Sequence, residues 1–497
     1  KCGNSLIGND FYESHLDLDD AALYKINCFD WEEEFKSIFK GGGFDVVIGN
    51  PPYVKIQTMA ESSPIIVDEL KKRYKSASSG NIDIYLCFVE KALKLLKATG
   101  EMGYILPNKF FEGDMGENLR NIIATKKALK KVVYFGANQV FNNATTYTCL
   151  LFLSGSEREN FEFLRIYNKA DLVEVLNNAK FIKLPISLTN EEKWNFHSEN
   201  ILNILNKLKS MPIKLEDLTR KIFIGTQTSA DDIYILYEGE ENNGIVKTYS
   251  KSLDREIEIE REILKPFLLG KDVKRYSSPI PNKWIIFPYK IEDNSAVLYS
   301  ECDIKNKFPK AWEYLKENKK ILENREHGKF KNTWWQYGRT QNLNEFENNK
   351  LSFPDVGLRA QGIYDNSNLY HSNTMYSLLF KDKDINLLFI LSILNSKLFS
   401  YFMRMVGTEI RGGYIRFNPR FVNNFSIPNV DKDTENKLSS LVENIISLNK
   451  KLSIEKNPNS ITMINRQINA IDRQIDSLVY KIYNLDESDI KIIEGDN

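Results

Sequence analysis

A short apolar run that ends in a Gly-Asn-Pro-Pro-Tyr stretch constrains this sequence more than any other feature. Residues 44–49 read Phe-Asp-Val-Val-Ile-Gly, and Asn50, Pro51, Pro52 and Tyr53 follow directly. An uninterrupted apolar run bounded by turn residues is typical of a strand that is buried on both faces of a sheet. The prolines fix their own φ angles and favour extended geometry for the residues before them. The pattern therefore predicts a central strand that ends in a stiff loop, at the edge where open α/β sheets bind ligands.

The predicted loop offers three groups that suit an exocyclic amino group on a planar base. The side-chain oxygen of Asn50 and the carbonyl of Pro51 can each accept one amino hydrogen, which leaves the nitrogen lone pair free for an electrophile. The ring of Tyr53 can stack on the base, an interaction worth about 1–3 kcal/mol. A proline-rich surface turn is the alternative interpretation, and the strand before the loop disfavours it.

Asn-Pro-Pro-Tyr after an apolar strand resembles the catalytic motif of methyltransferases that use S-adenosylmethionine, particularly the N6-adenine-specific DNA methyltransferases. Some protein-glutamine and ribosomal-RNA methyltransferases carry the same motif, so the motif alone leaves the substrate open. The resemblance implies that Asn50, Pro51, Pro52 and Tyr53 form the catalytic site. It also implies that Phe141 packs on a flipped base together with Tyr53. The alternative role for Phe141 is that of a core residue in a hairpin.

The same resemblance implies cofactor contacts near the start of the chain. Residues 1–8 are similar to the segment that borders the adenine ring of the methyl donor, which assigns Asn4, Ser5 and Asn50 to S-adenosylmethionine. An ordinary loop is the alternative for that segment. Asp83 matches a family segment near the donor and target pockets, and a role as the N-cap of the next helix explains it equally well.

Helix and strand patterns alternate around the motif and predict an α/β domain. Residues 55–80 are rich in Lys and Ser and predict a polar loop. The pattern further predicts helices at 83–97 and 117–128, and strands at 103–107, 131–135 and 146–153. No Gly-x-Gly turn follows a strand before the motif, and no ribose-binding acidic residue appears there. The resemblance therefore implies an incomplete doubly wound, Rossmann-like methyltransferase sheet.

The second half of the chain loses this alternation and shows short strands, many aromatic residues and turns. Six of its segments, taken in order, resemble a TaqI-type target-recognition domain with an α+β fold: 224–232, 264–276, 334–339, 371–376, 394–398 and 411–416. Arg can fork onto guanine or phosphate, and Gly lets the backbone approach a duplex. The predicted DNA-binding residues are Lys271, Lys274, Arg275, Arg339, Arg411 and Arg416. A solvated surface is the alternative for each, and the loop 411–416 is the best candidate.

The sequence predicts four regions. They are the C-terminal part of a catalytic domain (1–165), a connector (166–212), the target-recognition domain (213–430) and a helical segment (431–497). In the last region, apolar residues recur at three- and four-residue steps and are interrupted near Asn457-Pro458. This spacing predicts a helical hairpin that packs on the recognition domain.

Composition limits the alternatives. Lys plus Arg equals Asp plus Glu at 67 each, so a nucleic-acid surface has to be a local basic face. The five cysteines are scattered and only four histidines are present, a pattern that predicts reduced thiols and no metal site. No long apolar run or charged leader is present, which predicts a soluble, cytoplasmic protein that does not enter a membrane.

Together these features predict part of an adenine-specific DNA methyltransferase from a restriction–modification system. The spacing before the motif also resembles the large bifunctional restriction–methylation enzymes of type IIG. The expected cofactor is S-adenosylmethionine. The expected partners are double-stranded DNA and a missing N-terminal methyltransferase or nuclease part, supplied in cis or in trans. Two alternatives remain: a DNA-binding specificity remnant without catalysis, and the methylation and recognition part of a bifunctional endonuclease.

Overall fold

The computed structural model describes residues 1–495 except 17, 79, 137–139, 142–145, 167–178, 195 and 411–412. The chain forms two compact units. The first consists of Lys1–Glu199 with Ile410–Gly412, and the second of Asn200–Glu409 with Gly413–Asn497. Each unit is described by itself below.

The first unit is built on a mixed sheet. Its strands are Phe44–Gly49 (β1), Leu96–Pro107 (β2), Leu129–Tyr134 (β3), Thr148–Ser154 (β4), Asn160–Arg165 (β5) and Ile182–Pro185 (β6). Their order in the sheet is β1-β2-β4-β3-β5-β6. β1 is parallel to β2 and β3 is parallel to β5, whereas β4 runs antiparallel to both of its neighbours. The predicted α/β class is confirmed, and the expectation of an incomplete doubly wound sheet stays a prediction.

The environment of β1 differs from the expected one. Within the described ranges, only β2 pairs with β1, so β1 is an edge strand. Val46 is 56% exposed and Ile48 is 81% exposed. The expectation of a strand buried on both faces is therefore wrong for this structure. Local hydrophobicity shows that a strand is suited to burial, but the elements that cover it decide whether it is buried.

Helices flank this sheet. They are Asp10–Ser14 (α1), Asp20–Ile26 (α2), Trp31–Glu34 (α3), Lys36–Lys40 (α4), Ile56–Ser62 (α5), Pro64–Arg73 (α6), Tyr85–Leu95 (α7) and Glu117–Thr125 (α8). The predicted helices that became α7 and α8 are confirmed. The polar loop predicted for residues 55–80 is wrong, because α5 and α6 occupy most of it. α6 buries Val67 and Leu70 and leaves its lysines exposed, so a few buried positions suffice for a helix rich in Lys.

The sheet continues beyond the predicted catalytic region. β6 pairs antiparallel with β5, with Phe161 opposite Leu184. The compact unit accordingly ends near residue 199 and includes most of the stretch that the sequence predicted as a connector.

The second unit contains many short strands. They are Ile213–Lys214 (β7), Thr219–Ile224 (β8), Ile235–Asn242 (β9), Ile245–Ser250 (β10), Arg255–Glu260 (β11), Leu264–Leu268 (β12), Lys283–Ile286 (β13), Tyr289–Glu292 (β14), Ser295–Leu298 (β15), Lys350–Pro354 (β16), Val356–Gly357 (β17), Ile363–Asp365 (β18), Tyr370–His371 (β19), Met375–Phe380 (β20), Thr408–Ile410 (β21), Tyr414–Arg416 (β22) and Ser426–Ile427 (β23). Two sheets dominate, with the orders β11-β10-β9-β13-β12-β19 and β18-β16-β20-β8. The buried side chains of Trp312, Trp334 and Tyr337 pack against the first of them.

Helices complete this unit. They are Glu199–Lys209 (α9, whose first residue belongs to the first unit), Leu215–Leu218 (α10), Asp231–Tyr234 (α11), Glu301–Lys307 (α12), Pro309–Glu317 (α13), Lys319–Glu323 (α14), Leu387–Leu394 (α15), Lys397–Val406 (α16), Pro419–Asn423 (α17), Lys432–Ile454 (α18), Pro458–Ile482 (α19) and Glu487–Glu494 (α20). α18 and α19 pack together, and the side chain of Asn457 caps α19 by accepting from the backbone N–H groups of Asn459 and Ser460. The predicted hairpin with its break near Asn457-Pro458 is thus confirmed.

In the part of the chain that the structure describes, no single helix has the length and apolar content needed to cross a bilayer. Only α15 and α16, taken as a pair bent by 60° at their junction, reach that length and composition.

Candidate active site and nucleic-acid interface

The Asn50–Tyr53 loop leaves the C-terminal end of β1. Gly49 precedes it, and a Cβ atom at this position would lie 3.0 Å from the ring of Tyr104 on β2. The missing side chain therefore lets the Tyr104 ring pack over the end of β1. Asn50 is exposed at this edge, Pro51 is buried, and Tyr53 is half-buried.

This loop carries two hydrogen-bond acceptors, and only one of them has a donor among the described residues. The Tyr53 hydroxyl lies 2.6 Å from Asn50 Oδ1, to which it donates, and 3.1 Å from the carbonyl oxygen of Ile105 on β2. No donor among the described residues bonds to the Pro51 carbonyl. The loop thus presents one free acceptor and one that accepts from the Tyr53 phenol.

The Tyr53 phenol is a hydrogen-bond donor at neutral pH. Burial raises its pKa to about 12, because the charged phenolate is poorly solvated there. A neutral phenol has one hydrogen, so Asn50 and Ile105 compete for it.

Three loops meet behind Tyr53. The Ile84 N–H donates to the Val54 carbonyl at 2.9 Å, which joins the end of the catalytic loop to the start of α7. Asp83 is buried and forms an ion pair at 2.5 Å with Lys109, which follows β2. The N-cap of α7 is Ile84, and no side chain caps this helix end, so the N-cap role predicted for Asp83 is wrong. Its carboxylate instead joins two loops at the ligand edge of the sheet.

Aromatic rings support the Tyr53 side of the site. The ring of Tyr85 packs edge-on against Tyr53, with centroids 6.4 Å apart, and Phe110 packs edge-on against Tyr85 at the same spacing. Tyr85 and Phe110 are fully buried, so they fix the position of the half-buried Tyr53 ring.

Phe141 lies beyond β3, on the loop that begins with Gly136. The side-chain amide of Asn108 donates to the Gly136 carbonyl at 3.2 Å, which ties the start of this loop to the end of β2. Phe141 is half-buried and belongs to none of the hydrophobic clusters formed by the described residues. Its role in base stacking stays a prediction.

The predicted cofactor residues lie in a short N-terminal segment. Asn4 Oδ1 accepts from the Leu6 N–H at 3.3 Å, and the Ser5 carbonyl accepts from the indole N–H of Trp31 at 2.9 Å. Asn4 also forms an isolated bridge with Cys28. These contacts order the segment, and its predicted contact with the methyl donor stays a prediction.

The predicted DNA-binding residues of the second unit fall into two groups. Lys271 and Lys274 are exposed and form no ion pair among the described residues. Arg275 instead pairs with Asp472 on α19 and donates to the Asn395 carbonyl at 3.3 Å. These contacts give Arg275 a structural role in holding α19, and its DNA contact stays untested.

Two of the remaining predicted DNA-binding arginines already form ion pairs with carboxylates. Arg339 forms an ion pair with Glu326 at 2.9 Å. Arg416 on β22 lies 3.5 Å from Asp355 and stays half-exposed. Arg411, in the loop that the sequence favoured most, lies outside the described residues.

Sequence reasoning missed Lys109 and Asn108 as members of the site. Both follow the predicted strand 103–107, and the end of a strand next to the motif strand is where ligand-binding side chains gather. Their position at the end of this strand could have identified them from the sequence. Their partners could not be identified in this way, because Asp83 and the Gly136 carbonyl lie on other loops.

Comparison with known proteins finds family matches to two regions of the chain. Residues 3–141 match the Eco57I restriction-modification methylase family, and residues 265–427 match the TaqI-like C-terminal specificity domain. The resemblance seen in the sequence is thereby confirmed: a methylase region precedes a specificity region, a combination that fits a type IIG-like enzyme.

The chain is also similar to curated type II restriction–modification proteins. The chain is 29% identical over 519 residues to the type II restriction enzyme and methyltransferase RM.Eco57I of Escherichia coli, covering 98% of this chain and 50% of the relative. It is 22% identical over 488 residues to the type II methyltransferase M.BstVI of Geobacillus stearothermophilus, covering 93% of this chain and 77% of that one. The chain thus spans half the length of RM.Eco57I.

A solved structure shares the fold. The type IIL restriction-modification enzyme MmeI, determined in complex with DNA, superposes with a TM-score of 0.58 at 12% identity. The match covers 90% of this chain and 56% of MmeI.

Proposed function

We propose that this chain, a methylase region joined to a TaqI-like specificity region, is the target-base and sequence-reading part of an adenine-specific DNA methyltransferase. Its setting would be a restriction–modification system, because its relative RM.Eco57I is both a restriction enzyme and a methyltransferase. The observation that carries the proposal is the Asn50–Tyr53 loop at the ligand edge of the sheet. It combines a free carbonyl, an amide oxygen and a supported aromatic ring.

The loop suits an exocyclic amino group. One amino hydrogen of a flipped adenine would bond Asn50 Oδ1 and the other the Pro51 carbonyl, which directs the nitrogen lone pair away from the ring. The Tyr53 hydroxyl would then keep its bond to the Ile105 carbonyl. Stacking of the base on Tyr53 and Phe141 would hold the adenine out of the duplex.

The chemistry is direct transfer. When bound, S-adenosylmethionine would supply an activated methyl group: its methyl–sulfur bond would break as the bond to the amino nitrogen forms, a neutral thioether would leave, and one amino proton would pass to water, with no covalent enzyme intermediate. The residues of this chain contribute positioning and lone-pair alignment, and no side chain here acts as a nucleophile.

The described residues fit the methyl donor only in part. The amide hydrogens of Asn4 and the Ser5 hydroxyl bond to no group among them, although Asn4 Oδ1 already accepts from the Leu6 N–H. The Gly-rich turn and the ribose-binding acid of such enzymes are missing from the sequence before the loop. We therefore assign Asn4, Ser5 and Asn50 to one side of the donor and derive no step from the donor's other contacts.

An upstream part of a longer enzyme, in cis or in trans, is the proposed partner of β1. Of the described strands only β2 pairs with β1, and its exposed Val46 and Ile48 present an apolar edge. A further strand at this edge would satisfy the free backbone groups and cover these side chains. The neighbouring segment would bring the rest of the donor pocket.

Double-stranded DNA is the proposed substrate of the second unit. Lys271 and Lys274 carry free charge that suits phosphate contacts. Arg416 suits base or phosphate contact once it leaves Asp355, and Arg411 belongs to the same sequence segment, 411–416. Arg275 and Arg339 are weaker candidates for DNA contact, because each already pairs with a carboxylate.

Two alternatives make different predictions. A specificity remnant would bind DNA and transfer no methyl group under any condition. A bifunctional endonuclease would cleave DNA through residues outside this chain. We place all three in the cytoplasm, where the free thiols of the chain stay reduced.

The test is methyl transfer by the chain co-expressed with its upstream genomic segment. Tritiated S-adenosylmethionine and a library of duplexes would be supplied, and the labelled nucleoside identified after digestion. We expect N6-methyladenine in one sequence context. Sequence-specific binding without methyl transfer would support the remnant, and labelled cytosine would contradict the adenine assignment.

A further inference from the structure

A cavity that does not involve the catalytic loop lies among the helices of the first unit. It has a volume of about 580 Å³ and is bordered by the C-terminal part of α6, by α7 and by α8. Its lining includes Lys71, Lys75 and Ser78 from the end of α6 and the segment after it, and Asn121 and Lys126 from α8 and its C-cap. Part of this lining comes from the Lys- and Ser-rich stretch 55–80, to which the proposed methylation gives no role.

The lining is strongly cationic in a chain that is neutral overall. Six of its side chains are Lys or Arg, and Glu90 is the single carboxylate. A concave surface lined by one sign of charge concentrates counter-ions.

Half of these cations have no carboxylate partner. Lys72 and Arg73 pair with Glu69, and Lys94 pairs with Glu90. The other three, Lys71, Lys75 and Lys126, are exposed and form no ion pair within the described ranges. Their charge is available to a ligand.

The neutral groups of the lining also favour an anion. The Thr125 hydroxyl donates to Asn121 Oδ1 at 3.0 Å, so that oxygen is occupied while the amide hydrogens of Asn121 stay free. The Asn118 amide donates to the Ser78 hydroxyl oxygen at 3.2 Å. The Asn121 and Ser78 oxygens are thus engaged, and the Asn121 amide hydrogens remain as donors for a ligand.

The cavity is separate from the catalytic loop. Lys94 lies in the last turn of α7, and Lys126 caps the end of α8, so both stand where the chain is about to enter β2 and β3. Asn50 follows the opposite, C-terminal end of β1, which is parallel to β2. A ligand held by Lys94 and Lys126 therefore does not occupy the base site.

We propose that this cavity is a phosphate-binding site, centred on Lys71, Lys75 and Lys126. Its ligand is either the phosphate backbone of nucleic acid outside the target base or a free polyphosphate. Charge-assisted N–H···O bonds from ammonium groups and amide donors are the standard means of holding phosphate.

Charge reversal tests the nucleic-acid source. The variant carries Lys71→Glu, Lys75→Glu and Lys126→Glu, and the matched control carries Lys25→Glu, Lys36→Glu and Lys40→Glu, three exposed lysines outside the lining. Binding of a fluorescent duplex without a recognition site is measured across NaCl concentrations. We expect the log–log salt slope to fall by up to about 3 and affinity to drop about tenfold or more, in the cavity variant only.

Tripolyphosphate titration at constant ionic strength tests the free-phosphate source. Wild-type, variant and control chains are each co-expressed with the upstream segment. Calorimetric binding that is seen in the wild type, lost in the cavity variant and kept in the control would assign the site to a free polyphosphate. A second variant carries Lys71→Gln, Lys75→Gln and Lys126→Gln, which remove the charges without reversing them. An unchanged melting temperature shows that it is folded, so a loss of binding in it reflects the lost charges. Equal DNA salt slopes in the wild-type chain, variant and control, together with no tripolyphosphate binding, would overturn the proposal. This outcome does not depend on methyl transfer, so it is distinct from failure of the proposed function.

Discussion

The hydroxyl of Tyr53 donates a hydrogen bond to the side-chain oxygen of Asn50 at 2.6 Å. This bond couples the two residues, so Tyr53 offers a positioning hydroxyl in addition to a stacking surface. Its hydroxyl has a second acceptor in the Ile105 carbonyl, so it can release Asn50 without losing a partner. This arrangement orients the Asn50 oxygen before a substrate arrives.

Replacing the Tyr53 hydroxyl tests this coupling. Tyr53→Phe keeps the ring face but loses one net hydrogen bond of about 1 kcal/mol, so we expect the single-turnover methylation rate to fall about fivefold. In Tyr53→Phe, the fluorescence of an adenine analogue at the target position should be unchanged. Tyr53→Ala should lower both this fluorescence and the methylation rate. Tyr104→Phe is the matched control, because no hydrogen bond of that hydroxyl is found among the described residues. A wild-type rate in Tyr53→Phe would show that the bond to Asn50 has no positional role.

Removal of the Asn50 amide should affect the chemical step. We expect Asn50→Ala to lower the single-turnover rate by about 100-fold or more, since an acceptor at the reacting nitrogen is lost. DNA affinity should stay close to the wild-type value, because phosphate contacts dominate it. Asn190→Ala, an exposed asparagine of the same unit, is the control. A near wild-type rate would remove Asn50 from the catalytic site.

The second unit allows phosphate contacts to be separated from base contacts. Lys271→Ala with Lys274→Ala should weaken binding evenly across DNA sequences and reduce the salt slope by about 2. Arg416→Ala should instead relax specificity at one position, at a cost of about 1–3 kcal/mol, if this residue reads a base. The control is Lys320→Ala with Lys331→Ala, two exposed lysines without ion pairs among the described residues. If these variants behave like the control, the DNA-binding surface does not include Lys271, Lys274 or Arg416.

The edge position of β1 predicts its hydrogen exchange. In the isolated 497-residue chain, the amides of β1 that do not bond β2 should exchange fast, and the chain should associate or precipitate through this edge. Co-expression with the upstream segment should slow their exchange and restore solubility. β3, which is paired on both sides, serves as the internal reference. Slow exchange in a soluble, monomeric chain would show that the edge is covered in another way.

Buried His371 predicts how stability depends on pH. Its Nε2 lies 2.6 Å from the Ser377 hydroxyl, and burial lowers its pKa to about 3. The folded state therefore disfavours the charged imidazole, and its contribution to stability is full above the unfolded pKa of about 6.5 and is lost as pH falls toward 3. Between pH 7 and pH 5 we expect the free energy of unfolding to fall by about 2 kcal/mol more in the wild-type chain than in His371→Gln. Urea unfolding at both pH values measures this, and equal losses would mean that His371 is protonated in the fold.

Local sequence patterns were sufficient for the elements that carry the site. The apolar run before Asn50 predicted β1 and its loop, and the three- and four-residue spacing predicted α18 and α19 with their break at Pro458. These features depend on backbone geometry and on neighbours in sequence, so they can be read without knowledge of the fold.

Patterns failed where a helix has few buried positions or where burial depends on a distant element. α5 and α6 were missed because they bury few apolar side chains, Ile56 in α5 and Val67 and Leu70 in α6. β1 was expected to be covered on both faces, but the number of strands beside it is a property of the sheet and not of the strand.

The partners of the polar side chains were decided only by the tertiary structure. Tyr53 reaches Ile105 across 52 residues of sequence, Asp83 reaches Lys109, and Arg275 reaches Asp472 across 197 residues. The sequence by itself determined which chemical groups stand at the end of β1. Folding decided which of them are free and which are committed to one another, because a hydrogen bond or ion pair depends on separations of a few ångströms that local propensity does not set.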